Sequence, residues 1–460
     1  MKRWMLAGLG WVLTLAGCMS GPDYRRPETV VPDDWRTDGA TNASMGAWAW
    51  TEVYRDPVLT NLITTALANN PDVRIAAARV EEAFGQAGVQ RAALFPSVNG
   101  TAGYSKARAG NVPPLPGAES EQVNLSGRLS YELDIWGRVR RLNESARAQL
   151  LASEEGRKAV ELGLVAGVAT SYFNLRALDR QLEIARDTLA SRNNALELTR
   201  VKFDDGQGIV SELDVAQAQT QVAATQSSIA SIRRQIALAE NALSLLLGGN
   251  PGAIPRGQAL TEQWQPAELP AGLPSDLLLR RPDLRAAEQQ LVSANANIGV
   301  ARAAYFPAIS LTGALGLKSD DLGDLFDTGL SKTWSFTPSL TAPIFQAGRI
   351  RSGVRVAEAQ RAAALASYEK AIRTAFREVD DALASISHIR EQLVADEAVV
   401  TAERRRLELS TLRYEGGVAS YSDVLDAQRF LFSAELTAVQ TRNALLAATV
   451  QLYRALGGGW

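Results

Sequence analysis

The sequence predicts a mainly α-helical chain with a small amount of membrane β-structure, arranged as two tandem structural repeats. Two segments without proline, 137–203 and 348–414, each show about 67 residues of continuous helical pattern. At ~1.5 Å per residue each would extend about 100 Å as one helix, several times the usual length. Both begin with similar residues, GRVRRL and GRIRSG, and both are followed by a glycine-containing break and a second helical pattern. The chain therefore contains two copies of one plan.

The second copy follows the first at a constant spacing. Pro71 is matched by Pro282, and 282 − 71 = 211; the same difference relates Gly137 to Gly348. Extended through the breaks, this spacing also gives the pairs Gly206 and Gly417, Glu212 and Asp423, and Ala216-Gln217 and Ala427-Gln428.

The amino terminus is typical of a secretory signal peptide, with Lys2 and Arg3 before an apolar run that ends at Ala16. Residues 15–18, Leu-Ala-Gly-Cys, resemble a bacterial lipobox, and Cys18 is the only cysteine of the chain. We predict a signal peptide at 1–17 and a covalent lipid on Cys18, with no other cofactor. The alternative is an ordinary signal peptide followed by an incidental cysteine. Met19 stands where an aspartate would favour retention in the inner membrane, so sorting to the outer membrane is expected.

Four segments show the two-residue alternation that is typical of strands, at about 97–107, 121–134, 308–318 and 333–344. In the second of them Leu125 and Leu129 alternate with Ser126 and Arg128, so that one face is apolar and the other polar. Such strands fit a transmembrane sheet, and the core of a β-sandwich is the alternative. Aromatic residues near the strand ends favour the membrane. They are Phe95, Tyr131, Trp136, Tyr305, Phe306, Trp334 and Phe345.

Four strands are too few to close a barrel, and lipid does not tolerate an open sheet edge. Several chains must therefore share one barrel. Two chains would give eight strands around a filled bore, whereas three would give twelve strands around a channel. The long helices follow the strands directly at 134–137, so we predict an oligomer in which the shared β-barrel is continued by an α-helical barrel.

Several motifs together resemble the outer membrane factor family, the TolC-like exit ducts of tripartite efflux pumps, and within it the OprM/NodT-type lipoproteins. They are CMSGPDYRRP, ELDIWGRVRR, LPSDLLLRRPDLRAAE, FPAISLTG and YEGGVASYSDVLDAQ, and the resemblance covers essentially the whole mature chain. It implies a trimeric, lipid-anchored duct in the bacterial outer membrane, with a helical barrel that projects into the periplasm. It also implies a periplasmic adaptor (membrane fusion) protein and an inner-membrane pump of the resistance-nodulation-division type. Small molecules such as drugs would be the cargo.

The predicted organisation follows from the repeat and from this resemblance. Residues 18–56 form a lipidated tether and equatorial segment, 57–250 the first repeat with its tip at 203–211, 251–280 an equatorial connector, and 281–460 the second repeat with its tip at 414–422.

Paired carboxylates follow the second tip directly. Asp423 and Asp426 lie three positions apart at the start of a predicted helix, and therefore on one helical face. The resemblance matches them to the family's constricting aspartate rings, with Tyr414 at the tight turn and Glu212 at the corresponding place in the first copy. These four residues are the predicted periplasmic gate. The alternative is that the aspartates only cap the helix.

Four glycines fall in the two breaks. We expect them to supply positive backbone dihedral angles for chain reversal and to form the surface on which an adaptor docks. They are Gly206, Gly208, Gly416 and Gly417.

Other classes of function find no support in the sequence. A formal net charge of −2 gives no nucleic-acid footprint. His388, the only histidine, lies in the middle of a predicted helix, and no phosphate-binding glycine loop occurs, so we expect neither catalysis nor a metal site. Two alternatives to drug efflux remain. One is an outer membrane duct for type I protein secretion, and the other is a trimeric coiled-coil lipoprotein without a pore.

Overall fold

The computed structural model describes residues 19–29, 31–32, 34–36, 44–108, 119–205, 210–263, 270–272 and 274–458. This part of the chain is mainly helical and contains one antiparallel sheet, as the sequence predicts. The elements in chain order are α1 Trp50–Val53, α2 Pro57–Asn69, α3 Pro71–Ala92, β1 Ser97–Arg108, β2 Glu119–Leu133, α4 Arg138–Asp204, α5 Glu212–Leu246, α6 Leu277–Arg280, α7 Pro282–Ala303, β3 Ala308–Ser319, β4 Lys332–Thr341, α8 Arg349–Glu415 and α9 Tyr421–Ala455.

The two long helices are α4 and α8, and each has 67 residues. Each is preceded by a glycine with a positive φ, +77° at Gly137 and +83° at Gly348. A side chain would be strained in this conformation, and glycine permits the abrupt change from extended chain to helix. The repeated glycine-arginine start of the two patterns therefore has a backbone cause.

The sheet has the strand order β1-β2-β3-β4, with each neighbouring pair antiparallel. The strands lie within three residues of the bounds that the alternation predicts. β4 ends at Thr341 rather than at 344, and Pro343 follows, which has no N–H to continue a ladder.

The two faces of the sheet differ in chemistry, because successive side chains of a strand alternate between them. Large apolar side chains on one face are exposed in the single chain, and they include Val98, Tyr104, Leu125, Leu129, Leu315, Trp334, Phe336 and Leu340. The register aligns these residues across the strands, for example Val98 with Leu129 and Leu315 with Trp334. The other face carries mostly serine, threonine and asparagine.

The described residues divide into two compact units. The first comprises the described parts of 19–28, 78–154 and 286–369, and it contains the sheet. Its amino-terminal segment is held along the helices: Ser20 N–H donates to the Trp136 carbonyl at 3.0 Å, and Arg141 pairs with Asp23 at 2.8 Å. Arg26 donates to Glu288 at 2.7 Å. Met19 lies against Gly137, whereas Cys18 lies outside the described residues.

The second unit comprises the described parts of 29–77, 155–285 and 370–458. Its amino-terminal segment is anchored by Trp35, which is buried and whose indole N–H donates to the Gly272 carbonyl at 2.8 Å. Asn70 joins two helices, since its side-chain oxygen accepts from Asp72 N–H at 2.7 Å and its amide donates to the Leu246 carbonyl at 2.9 Å. These polar contacts fix the termini of helices that lie far apart in sequence.

Asp56 is the centre of a buried polar cluster in the second unit. Its side chain is 1% exposed. The carboxylate accepts hydrogen bonds from the Tyr172 hydroxyl at 2.8 Å, from Gln258 N–H at 2.9 Å and from the Gln263 amide at 2.9 Å. It also accepts from Val58 N–H at 2.9 Å and thereby caps α2. The cluster connects segment 257–263 to α2 and α4.

Candidate functional site

The turn between α8 and α9 forms the second tip. Val418 N–H donates to the Arg413 carbonyl and Gly417 N–H to the Tyr414 carbonyl, both at 3.0 Å. This pair of bonds is a common way to end a helix, and it needs one residue in the left-handed region. Gly417 is that residue, with φ +73°. The prediction of a positive φ is wrong for Gly416, because this turn needs only one such residue. Gly206 and Gly208 lie outside the described residues.

Asp423 caps the helix that follows. Ser420 N–H donates to the Asp423 carboxylate at 3.3 Å, while Asp423 N–H donates to the Ser420 carbonyl at 3.2 Å. Ser211 and Asp214 make the equivalent arrangement at the start of α5, where Ser211 N–H donates to the Asp214 carboxylate at 2.9 Å. Asp214 is therefore the counterpart of Asp423.

The pairing of Glu212 with Asp423 is consequently wrong. Helix α9 begins at Tyr421 and α5 at Glu212, and 421 − 212 = 209 rather than 211. The cause is a shorter turn: four residues, 416–419, separate α8 from the capping serine of α9, whereas six, 205–210, stand at the same place in the first copy. The pairing of Ala216-Gln217 with Ala427-Gln428 fails for the same reason, and Ala218 is the counterpart of Ala427.

Asp426 has a different environment from Asp423. Its carboxylate lies 3.1 Å from the Arg429 guanidinium, and both side chains are more than half exposed, so the pair contributes little to stability. Glu212 is exposed as well. The structure places Asp423 and Asp426 at the exposed start of one helix, where their carboxylates are accessible to ions or to another chain.

Tyr414 belongs to a packed cluster that sequence reasoning identified only in part. Its ring centroid lies 5.2 Å from that of Tyr421, and the Lys202 ammonium lies 5.0 Å from the Tyr414 centroid, which is cation-π geometry. Tyr421 packs with Val424, Leu425 and Ala218, and this cluster joins the start of α9 to α5. Burial raises the pKa of both tyrosines, so their hydroxyls remain protonated at neutral pH.

Arg192 is a buried cation that sequence reasoning missed. Its side chain is 4% exposed and donates to the Gln221 carbonyl at 3.1 Å and to the Thr225 hydroxyl at 2.6 Å. The guanidinium lies 5.6 Å from the Phe432 ring. Burial lowers its pKa from the ordinary value. An arginine within a long amphipathic helix gives no local signal that it will be buried.

Helices of the described residues include none that is long and apolar enough to span a membrane. Within the same residues no three histidine, cysteine, aspartate or glutamate side chains are grouped so as to hold a metal ion. The distance from His388 Nδ1 to Glu391 Oε2 is 3.5 Å, and both side chains are largely exposed.

Comparison with known proteins agrees with this architecture. The model of the family described as outer membrane efflux protein matches residues 62–249 and 273–458. The solvent efflux pump outer membrane protein SrpC of Pseudomonas putida is 41% identical over 459 residues, which cover 98% of this chain and 97% of SrpC. The cation efflux system protein CusC of Escherichia coli O6:H1 is 38% identical over 453 residues, 97% of either chain. The open-state structure of the MtrE outer membrane channel of Neisseria gonorrhoeae superposes with a TM-score of 0.88 at 34% identity, covering 96% of this chain and 98% of MtrE.

Proposed function

This chain belongs to the outer membrane efflux protein family, and we propose how it assembles and which partner proteins it binds. It is an outer membrane channel that serves as the exit duct of an efflux system. Members of this family are channels rather than enzymes.

We propose that three chains close one twelve-stranded barrel. The observation that supports this is the sheet: its large exposed side chains are apolar on one face, the opposite face is polar, and β1 and β4 are its edge strands. An apolar face of this kind is suited to lipid, and unpaired edges are not. Pairing of β4 with β1 of the next chain satisfies both edges, and twelve strands leave a water-filled lumen.

Cysteine cross-linking tests the trimer, since Cys18 is the only native cysteine. Thr101→Cys on β1 is combined in turn with Thr333→Cys, Thr337→Cys or Thr341→Cys on β4. Oxidation of at least one combination is expected to yield covalent trimers. As a control, Ser130→Cys with Thr312→Cys joins strands that pair within one chain, and these two positions are opposite each other. If all three pairs of cysteines on β1 and β4 gave monomers alone after oxidation, the trimer would be contradicted.

The partners proposed are a periplasmic adaptor and an inner-membrane pump of the resistance-nodulation-division type. The tips would dock the adaptor around Gly206, Gly208, Gly416 and Gly417. The gate would consist of Asp423, Asp426 and Tyr414, together with Glu212, which is exposed in the first turn of α5 although it is not the counterpart of Asp423. Accessible carboxylates at the start of α9 support this role. The names of the relatives, which mention solvents, toluene, antibiotics and cations, favour small cargo over secreted proteins.

Conductance tests the function directly. Purified protein in a planar bilayer is expected to give discrete single-channel steps, and deletion of the gene is expected to increase the susceptibility of cells to drugs. A protein that forms trimers but conducts no ions would instead fit the structural lipoprotein.

A further inference from the structure

The register aligns one residue from each strand into rows across the polar face of the sheet, and one of these rows contains a single charged side chain, that of Arg128. The register aligns Asn99 on β1, Arg128 on β2, Ala314 on β3 and Ser335 on β4. The rows on either side are neutral. One consists of Ser97, Ser130, Thr312 and Thr337, and the other of Thr101, Ser126, Gly316 and Thr333.

The other charged side chains of this face lie towards its ends. Glu132 receives two hydrogen bonds from Arg138, at 2.9 and 2.7 Å, and is thereby neutralised. Lys318 aligns with Asn124, two rows from Arg128 and at the loop end of the sheet, and the acidic residues Asp320 and Asp321 follow it. Arg128 has no hydrogen bond or ion pair with any residue that the structure describes, and its side chain is exposed.

Stability of the sheet does not account for this arginine. Within the described residues the side chain forms no hydrogen bond or ion pair, and serine or threonine occupies most equivalent positions around it. Guanidinium is a planar group with paired N–H donors, and it matches the oxygen atoms of carboxylate, phosphate or sulfate groups. A free guanidinium surrounded by small neutral side chains is accessible to such an anion.

We propose that Arg128 is an anion-binding residue of the transport lumen, at which small molecules that carry carboxylate, phosphate or sulfate groups are bound in passage. This inference rests on the proposed trimer with the polar face inside. Three chains then contribute three guanidinium groups at one level, as charged rings do in other pores. The positive charge of these guanidinium groups is opposite in sign to the charge of the carboxylates near the tip. The duct therefore has separate binding sites for cations and for anions.

Equilibrium binding of pyrene-1,3,6,8-tetrasulfonate to the purified trimer in nonionic detergent, followed by fluorescence anisotropy, tests the proposal. Arg128→Gln is expected to weaken binding by about tenfold, or 1.4 kcal/mol. Arg128→Lys keeps the charge and is expected to retain most of the affinity. Arg108→Gln is the matched control, because Arg108 lies on β1 in the series of Tyr104 and Lys106 on the apolar face. It is expected to leave binding unchanged.

The outcomes separate this inference from the proposed function. If wild type and Arg128→Gln bind the probe equally while the wild type conducts in bilayers, the anion site is wrong and the duct stands. If the wild type does not form a trimer or a channel, the proposed function itself fails. If Arg128→Gln does not assemble, Arg128→Thr is used in its place, because threonine already occurs in the neighbouring rows. Equal loss of binding in Arg128→Gln and Arg108→Gln would also overturn the proposal, because it would indicate nonspecific charge.

Discussion

Asp423 accepts a hydrogen bond from the backbone N–H of Ser420 at 3.3 Å, so this carboxylate stabilises the first turn of α9 whatever else it does. Capping interactions of this kind are worth about 1 kcal/mol. Asp426 is not part of the cap and pairs with Arg429 instead. The two proposed gate aspartates therefore differ in their local roles, and experiments can separate capping from gating.

Substitution of both aspartates is expected to change ion block at the tip. The wild-type pore should prefer cations and be blocked by multivalent cations added from the periplasmic side, and Asp423→Ala with Asp426→Ala should abolish that block. Two unit charges 4 Å apart repel by only ~1 kcal/mol in water and ~4 kcal/mol at an intermediate dielectric constant, so a ring of carboxylates can persist and bind cations. Single-channel currents with and without a trivalent cation measure the effect.

Two variants serve as controls for this experiment. Asp214→Ala removes the equivalent cap at the start of α5, and Asp426→Ala removes a proposed gate carboxylate without removing a cap. If gating depends on charge, Asp426→Ala should weaken the block by multivalent cations, whereas Asp214→Ala should leave it unchanged. Unchanged block in the double variant would leave Asp423 as a helix cap only. A small conductance that persists in the double variant would indicate that packing around Tyr414 sets the aperture.

Charge on the two faces of β3 is expected to have opposite consequences for assembly. Leu311 aligns with Tyr131 and Pro338, whereas the adjacent Thr312 aligns with Ser130 and Thr337. Leu311→Arg should place a cation against lipid at a cost of ~2–4 kcal/mol near the midplane and reduce the trimer yield. Thr312→Arg should assemble normally. The yields on native gels after extraction from membranes measure the difference, and equal yields would contradict the assignment of the faces.

The Asp56 cluster predicts a specific sensitivity to acid. Burial opposes ionisation of this carboxyl, but hydrogen bonds from Gln263, Tyr172 and two backbone N–H groups outweigh it and lower the pKa of Asp56. As the pH falls below about 4, the Asp56 carboxyl is therefore protonated in the unfolded chain before it is protonated in the folded chain. The stability that this carboxylate contributes decreases as the pH falls further and is lost once the pH passes the pKa of the folded state. Above the ordinary aspartate pKa the contribution is fully present.

Asp56→Asn tests this contribution. It should lower the free energy of unfolding at neutral pH by ~1–3 kcal/mol, because an amide leaves some of the buried donors unpaired. Between about pH 5 and pH 3 the variant should lose less stability than the wild type. Thermal unfolding in detergent across this range provides the measurement. Asp179→Asn, in a more exposed ion-pair cluster with Arg176 and Arg256, is the comparison, and a parallel decline of wild type and Asp56→Asn would exclude Asp56 as the cause.

Lipid attachment is tested at Cys18. Cys18→Ser should abolish incorporation of labelled palmitate and leave a precursor that is uncleaved or processed differently. Partial function should survive, because one acylated cysteine contributes only moderately to membrane binding when the protein also inserts a sheet. Absence of label from the wild-type protein would contradict the lipoprotein proposal, whereas label in both proteins would indicate another acylation site.

Much of the fold was predictable because its signals are local. A helix shows its 3.6-residue period and a strand its alternation, so the long helices and the four strands are visible in the sequence. The two-residue slip at the tip also had a local signal: serine followed by aspartate three positions later occurs at Ser211 and at Ser420. The prediction extended the spacing of 211 residues unchanged through the turns and so missed this difference. Turns accept insertions that helices do not.

The repeat, the two chemically distinct faces of the sheet and the positions of the carboxylates near the tip can be read from the residue pattern, because each depends on neighbours a few residues away. Which polar groups are paired becomes visible only in the folded chain. Asp56 contacts Tyr172 and Gln258, which are more than a hundred positions away, and Arg192 is buried against Phe432. Arg128 has no hydrogen-bond or ion-pair partner in the part of the chain that the structure describes. Burial and pairing depend on which segments meet in space, and the pattern of one segment does not specify its neighbours.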